Sequence, residues 1–305
     1  MKQRLDVKFA SGQQGEHCLA WLYEPDGIGP FPVIVMAHGL GGVREMRLDA
    51  FAERFSMAGY ACLVFDYRHF GASEGHPRQL LVIDRQLQDW SCAIAFAREQ
   101  EQLRPAQVVL WGTSFGAGHV IVSAARDHRV AAAIAQCPFT DGIASALAMN
   151  WQSSLKVTAM AVCDVLGSLL GLAPVFVATA GPAGSAALMS APDAQAGFLA
   201  LVPEGLAFHN RVAARAALDI LTYRPGRKAA KVACPILFCI CDRDSVAPAA
   251  PSLRYAKGAP AAEVRLYPER HFDLYVGEAF ERVVADQLAF LRRCVPTRLD
   301  DRYTD

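Results

Sequence analysis

Three short stretches carry a nucleophile, a base and a carboxylate on the kinds of turn that acyl chemistry needs. Trp111-Gly112-Thr113-Ser114-Phe115-Gly116-Ala117-Gly118 contains G-x-S-x-G. It follows the apolar run Gln107–Leu110 and leads into an Ala/Val-rich helical stretch, the context that lifts a serine Oγ above a sheet. Gly112 and Gly116 leave room for that sharp turn, Ser114 is the candidate nucleophile, and the Phe115 N–H is a candidate oxyanion donor. An ordinary strand-to-helix turn is the plainer alternative. A serine hydroxyl needs a base to take its proton and a carboxylate to hold that base. His271, in Pro268-Glu269-Arg270-His271-Phe272-Asp273-Leu274-Tyr275, is the candidate base, and Asp244, in Cys241-Asp242-Arg243-Asp244-Ser245, the candidate acid. Asp242 is its rival, and Asp273 is expected to cap the last helix.

A fourth stretch, Val35-Met36-Ala37-His38-Gly39-Leu40-Gly41-Gly42, offers the Leu40 N–H as second oxyanion donor. It matches neither G-x-G-x-x-G nor G-x-x-x-x-G-K-[ST], so a phosphate cradle is disfavoured. His38 reads as a brace for this loop, and Gly39 lets the backbone come close to a ligand. His17, His69, His76, His119, His128 and His209 compete with His271 as base, but only His271 follows a late strand at the sheet edge where ligands bind.

These residues must be held by alternating strands and helices. Strands are predicted at Leu5–Phe9, His17–Tyr23, Val33–Ala37, Ala61–Phe65, Gln107–Trp111, Val130–Gln136, Ile236–Ile240 and Glu263–Tyr267. The inner ones are continuously apolar, as strands covered on both faces are. Leu80, Ile83, Leu87, Trp90, Ile94 and Ala97 form one helical stripe, and Val276 to Leu291 another. The expected fold class is α/β: a doubly wound, mostly parallel sheet with an inserted helical cap. Core segments fall at 1–141 and 229–305. The cap covers 142–228, where no convincing strand is seen. Within it, Val165 to Ala180 is nearly charge-free, but it is short for a bilayer span and broken by Gly167, Gly171 and Pro174, so a buried or lid-like helix is expected. The tail from Thr297 is expected to fray.

Composition narrows the function. The 305 residues carry 30 Lys+Arg against 30 Asp+Glu, without a basic block, which argues against a nucleic-acid partner. The 53% apolar content excludes disorder and exceeds what a core of this size needs, leaving apolar surface to bind or move. MKQRLDVKFA has no apolar core of a signal peptide. Nine cysteines, without a CxxC pair, read as reduced buried thiols; Cys239 and Cys241 are placed on opposite strand faces. Cytoplasmic location, no metal, no cofactor and no membrane span are therefore expected, and a homodimer is compatible with the sequence.

Taken together, these residues resemble an α/β-hydrolase over nearly the whole chain. The resemblance rests on His38-Gly39-Leu40-Gly41-Gly42, Gly112-Thr113-Ser114-Phe115-Gly116, Asp244 with Pro248, His271, and the stretch from Asp66 to Gly75. That last stretch is similar to the family's D-x-R-G-x-G-x-S-x-G loop, with His69 where Gly is usual. Cys241 and Arg270 also stand where the family often has Gly. The chain order Ser, Asp, His is the family's own. The resemblance implies a triad of Ser114, Asp244 and His271, with Leu40 and Phe115 forming the oxyanion hole. The cap and His271-Phe272-Asp273-Leu274-Tyr275 are similar to a narrower group near dienelactone-hydrolase-like and prolyl-peptidase-like cores, with fungal polyketide transferases and thiohydrolases.

The expected activity is hydrolysis of a carboxylic ester or thioester with an apolar acyl group, through an acyl-enzyme on Ser114. An acyltransferase or a C–C bond hydrolase would use the same triad. A non-catalytic small-molecule binding protein on the same scaffold is the more distant alternative.

Overall fold

The computed structural model describes residues 3–12 and 15–297; the tail beyond 297 lies outside them. Eight strands form the main sheet: β1 (Gln3–Ala10), β2 (His17–Glu24), β3 (Phe31–Ala37), β4 (Ala61–Phe65), β5 (Leu103–Thr113), β6 (Ala132–Gln136), β10 (Ile236–Cys241) and β11 (Ala262–Tyr267). Their spatial order is β1-β2-β4-β3-β5-β6-β10-β11. The β1/β2 and β2/β4 pairs are antiparallel and every other pair is parallel. Each predicted strand is present, extended by a residue or more at several ends, except that the strand expected at Val130–Gln136 starts only at Ala132.

Side chains alternate between two cores, as the two-residue period of a strand requires. Val33, Val35 and Ala37 enter the layer under α2 (Ile83–Glu99) and α3 (Phe115–Arg126). Ile34 and Met36 enter the layer under α1 (Leu48–Met57) and α9 (Gly277–Cys294), while α8 (Ala249–Ala256) links β10 to β11. The predicted helical stripe is the buried face of α2, with Trp90 and Ala97 fully covered; Leu80 precedes the helix. Cys239 and Cys241 share one face rather than opposing ones, because residues two apart in a strand point the same way. Asp273 does not cap α9: it sits in a short 3-10 turn, where its carboxylate accepts from the Arg270 N–H at 2.9 Å, and Val276 occupies the cap position.

Between β6 and β10 the chain builds α4 (Gly142–Ala148), α5 (Trp151–Leu169), α6 (Ala194–Leu199) and α7 (Ala216–Thr222). Strands occur here as well: β7 (Phe176–Ala180), β8 (Ala187–Met189) and β9 (Val212–Ala213) make a small sheet in the order β8-β7-β9. They are two to five residues long and rich in alanine, too short for a periodic signal. The stretch Val165 to Ala180 is accordingly the end of α5, a turn at Gly171 (φ 70°) and β7, not one helix. Among the described residues no helix is long and apolar enough to cross a membrane.

Asp164 pins this region together. Its buried carboxylate accepts from the Val175 N–H at 2.9 Å, and from the Arg215 backbone N–H, Nε and Nη2 at 2.8 Å each. One side chain therefore joins α5, the start of β7 and the start of α7.

Candidate active site

Ser114 lies at the junction of β5 and α3 with φ 55° and ψ −119°, a conformation that side chains rarely adopt. The surrounding backbone over-determines it. Its N–H donates to Gln136 O on β6 at 2.8 Å, and its carbonyl accepts from Phe139 N–H at 3.0 Å. The flanking glycines are there for space: a Cβ on Gly112 would lie 2.5 Å from Gly116 O, and one on Gly116 would lie 2.4 Å from His38 O. The elbow therefore presses directly against the His38 loop.

His271 follows β11 and is fully buried. Its Nδ1–H donates to Asp244 Oδ2 at 2.6 Å. Asp244, at the end of β10, is oriented by its own loop, since Oδ1 accepts from the Val246 and Ala247 N–H groups at 2.8 and 2.7 Å. This fixes the ring tautomer so that Nε2 carries a lone pair. Nε2 is buried without a hydrogen-bond partner, and His271 and Ser114 line the same small cavity of about 30 Å³. No hydrogen bond closes between Nε2 and Ser114 Oγ. Asp242 is exposed, in contrast to the fully buried His271.

The Leu40 and Phe115 N–H groups donate to no acceptor among the described residues, and Leu40 borders both cavities that meet at Ser114. A Cβ on Gly39 would stand 2.9 Å from Ser114 Cβ, so this glycine is what allows the loop to approach. His38 is buried, its Nδ1–H donates to Gly39 O at 2.9 Å, and burial lowers its pKa to about 4, keeping it neutral. Asp66 anchors the same loop by accepting from the Arg44 N–H at 2.8 Å and the Ala72 N–H at 3.1 Å. The Asp66 to Gly75 stretch is thus a brace. His69, standing where glycine is usual, takes φ 70°, the left-handed conformation that makes glycine usual there.

A larger cavity of about 160 Å³ opens from Ser114, mainly apolar, between Phe115 and Phe139 of the core and Val157, Leu188, Leu218 and Ile220 of the insertion. Met189 borders both cavities. None of these insertion residues stood out in the sequence, because apolar positions in a region without clear periodicity carry no sign of which face meets the site. A cavity of about 150 Å³ lined by aliphatic and aromatic side chains suffices to hold a benzene ring.

Cys137 Sγ, an Asp244 carboxylate oxygen and a His271 ring nitrogen lie within 4.8 Å of one another. The set is a poor metal binder. A hydrogen bond with Cys241, then burial, push the Cys137 thiol well above its ordinary pKa, whereas a ligand must be thiolate. The other two groups already satisfy each other.

A buried histidine between a loop-held carboxylate and an elbow serine, on a mostly parallel eight-stranded sheet, defines an α/β hydrolase of the serine class. The sequence profile of the serine aminopeptidase S33 family matches residues 29–274, and the chain belongs to that family. It is 56% identical over 294 residues to the quorum-quenching protein AidA of Acinetobacter baumannii (strain MDR-ZJ06), covering 96% of each chain. It is 28% identical over 299 residues to the polyketide transferase af380 of Aspergillus fumigatus, covering 95% of this chain and 98% of that one. The crystal structure of the α/β hydrolase GrgF from Penicillium sp. sh18 superposes with a TM-score of 0.80 at 25% identity, over 96% of this chain and 99% of the other.

Proposed function

We propose that the protein hydrolyses a carboxylic ester or thioester with an apolar acyl group, through an acyl-enzyme on Ser114. One observation carries this reading: His271 is held by Asp244 through Nδ1 while Nε2 is buried, unpartnered and on the same cavity as Ser114. Nε2 takes the Ser114 proton as Oγ attacks the acyl carbon, and Asp244 stabilises the imidazolium that forms. The Leu40 and Phe115 N–H groups receive the oxyanion, each donor contributing about 3 kcal/mol of barrier lowering. His271 then returns its proton to the leaving group, and a water it activates releases the acid.

The acyl group occupies the 160 Å³ cavity, whose walls favour a medium chain or an aromatic ring. Residues 142–228 act as a cap over the core segments 1–141 and 229–305. The name of the 56% identical relative supports a small signalling molecule as natural substrate. The polyketide transferase relative favours a second reading in which an alcohol or amine, not water, intercepts the same acyl-enzyme.

A fluorophosphonate probe is expected to label Ser114, and Ser114→Ala is expected to lose both labelling and p-nitrophenyl ester turnover. Full turnover by the variant sinks the mechanism. Faster acetyl than octanoyl turnover sinks the acyl assignment. Product analysis with an added alcohol separates hydrolysis from transfer.

A further inference from the structure

The helix α5 is rich in apolar residues, and only one of its sides is covered. Val157 and Ala161 are buried inward, and Asp164 is engaged with Arg215. On the opposite side Trp151, Leu155, Val162, Leu166 and Leu169 recur at helical spacing within one narrow stripe, with Trp151 70% and Leu169 78% exposed. Eight large apolar side chains between 147 and 172 are exposed. Together they present on the order of 1,000 Å², against roughly 300–600 Å² for the largest patch of an ordinary monomer and about 800 Å² per partner in a stable interface.

We propose that a second copy of this chain covers this face, α5 packing on its two-fold mate. The area matches what a stable dimer buries on each side. The charge pattern selects the partner. The only cation on α5 is Lys156, whose Nζ already donates to Gly184 O at 2.6 Å, and the only acid is Asp164, which is buried. A helix lying on an anionic lipid surface carries a row of Lys and Arg, which is missing here. An unlike protein partner would be selected by charges that the stripe does not offer. A nearly uncharged stripe is instead complementary to itself, which is what a two-fold contact requires. Ser154, Val157 and Thr158 of the same helix line the larger cavity, so the partner would sit beside its mouth.

Sedimentation velocity and light scattering over a dilution series are expected to give twice the 33.0 kDa chain mass. The Leu166→Glu/Leu169→Glu variant is expected to be a monomer with unchanged circular dichroism. Should those charges disturb folding, Trp151→Ala, which only removes area, is expected to weaken the dimer at least about tenfold. A wild type that stays monomeric at the highest concentration overturns the proposal, as does a dimer that keeps its affinity in the folded variants. A monomer that floats with phosphatidylcholine vesicles, and loses that binding in Leu166→Glu/Leu169→Glu, assigns the face to lipid and equally overturns it.

Discussion

At the scale of single residues, the site depends on close approaches more than on unusual chemistry. Asp244 spends one carboxylate oxygen on two loop amides and the other on His271, so the acid cannot rotate away from the ring. Asp244→Asn preserves the shape but favours the wrong imidazole tautomer. The expected outcome is a fall in kcat of about 10⁴-fold with intact fluorescence and melting temperature, measured on a p-nitrophenyl ester. Gly39 is the steric counterpart. Its backbone tolerates alanine, but the new Cβ would meet Ser114 Cβ at 2.9 Å. Because the contact is with the elbow itself, Gly39→Ala should push the Leu40 N–H out of line. A loss of about 10²-fold in kcat is expected, with KM little changed, since misplacement of about 1 Å costs that much. Wild-type kcat in this variant would show that the loop has slack.

At the scale of elements, the main sheet was legible because its inner strands are buried on both faces and therefore apolar without interruption, as Ala61–Phe65 and Ile236–Cys241 are. The insertion was not. Its strands β7, β8 and β9 are brief, and its cohesion comes from Asp164, whose four acceptor contacts reach residues 11 and 51 positions away in sequence. No local pattern announces such a clasp. Asp164→Ala leaves the Val175 and Arg215 donors unpaired, while the Arg215 guanidinium can still reach water, so a loss of about 2–3 kcal/mol is expected. Limited proteolysis should then cut first within residues 142–228, and acyl-chain preference should flatten before the core melts. Unaltered protease resistance would mean that packing alone holds the insertion.

At the scale of the whole molecule, two neutral histidines buried in the core link folding to pH. His119 donates from Nε2 to Gln86 Oε1 at 2.9 Å, its Nδ1 shares a hydrogen bond of 2.8 Å with the Tyr223 hydroxyl, and the ring is fully buried with no water to solvate a charge. Burial lowers its pKa to about 3 and that of His38 to about 4. A base depressed in the folded state binds fewer protons than in the unfolded chain, whose histidines titrate near 6.5. The stability is whole above pH 6.5 and drains away as pH falls toward 3 to 4. Urea titrations of the wild type should show that decline, and His119→Gln should lessen its slope by about one proton. An identical slope in the variant would place the titration elsewhere. Asp89, whose pKa burial raises to about 6, works in the opposite direction but is common to both proteins. The strand-to-helix turn at Ser114, the positions of the main-sheet strands along the chain and the loops that carry Asp244 and His271 were legible from sequence, because each follows from local spacing and a strand's apolar run. Which insertion residues wall the cavity, the clasp by Asp164 and the bare face of α5 emerge only from the folded chain. Those depend on which sides of distant segments meet, and periodicity in one segment says nothing of its neighbour.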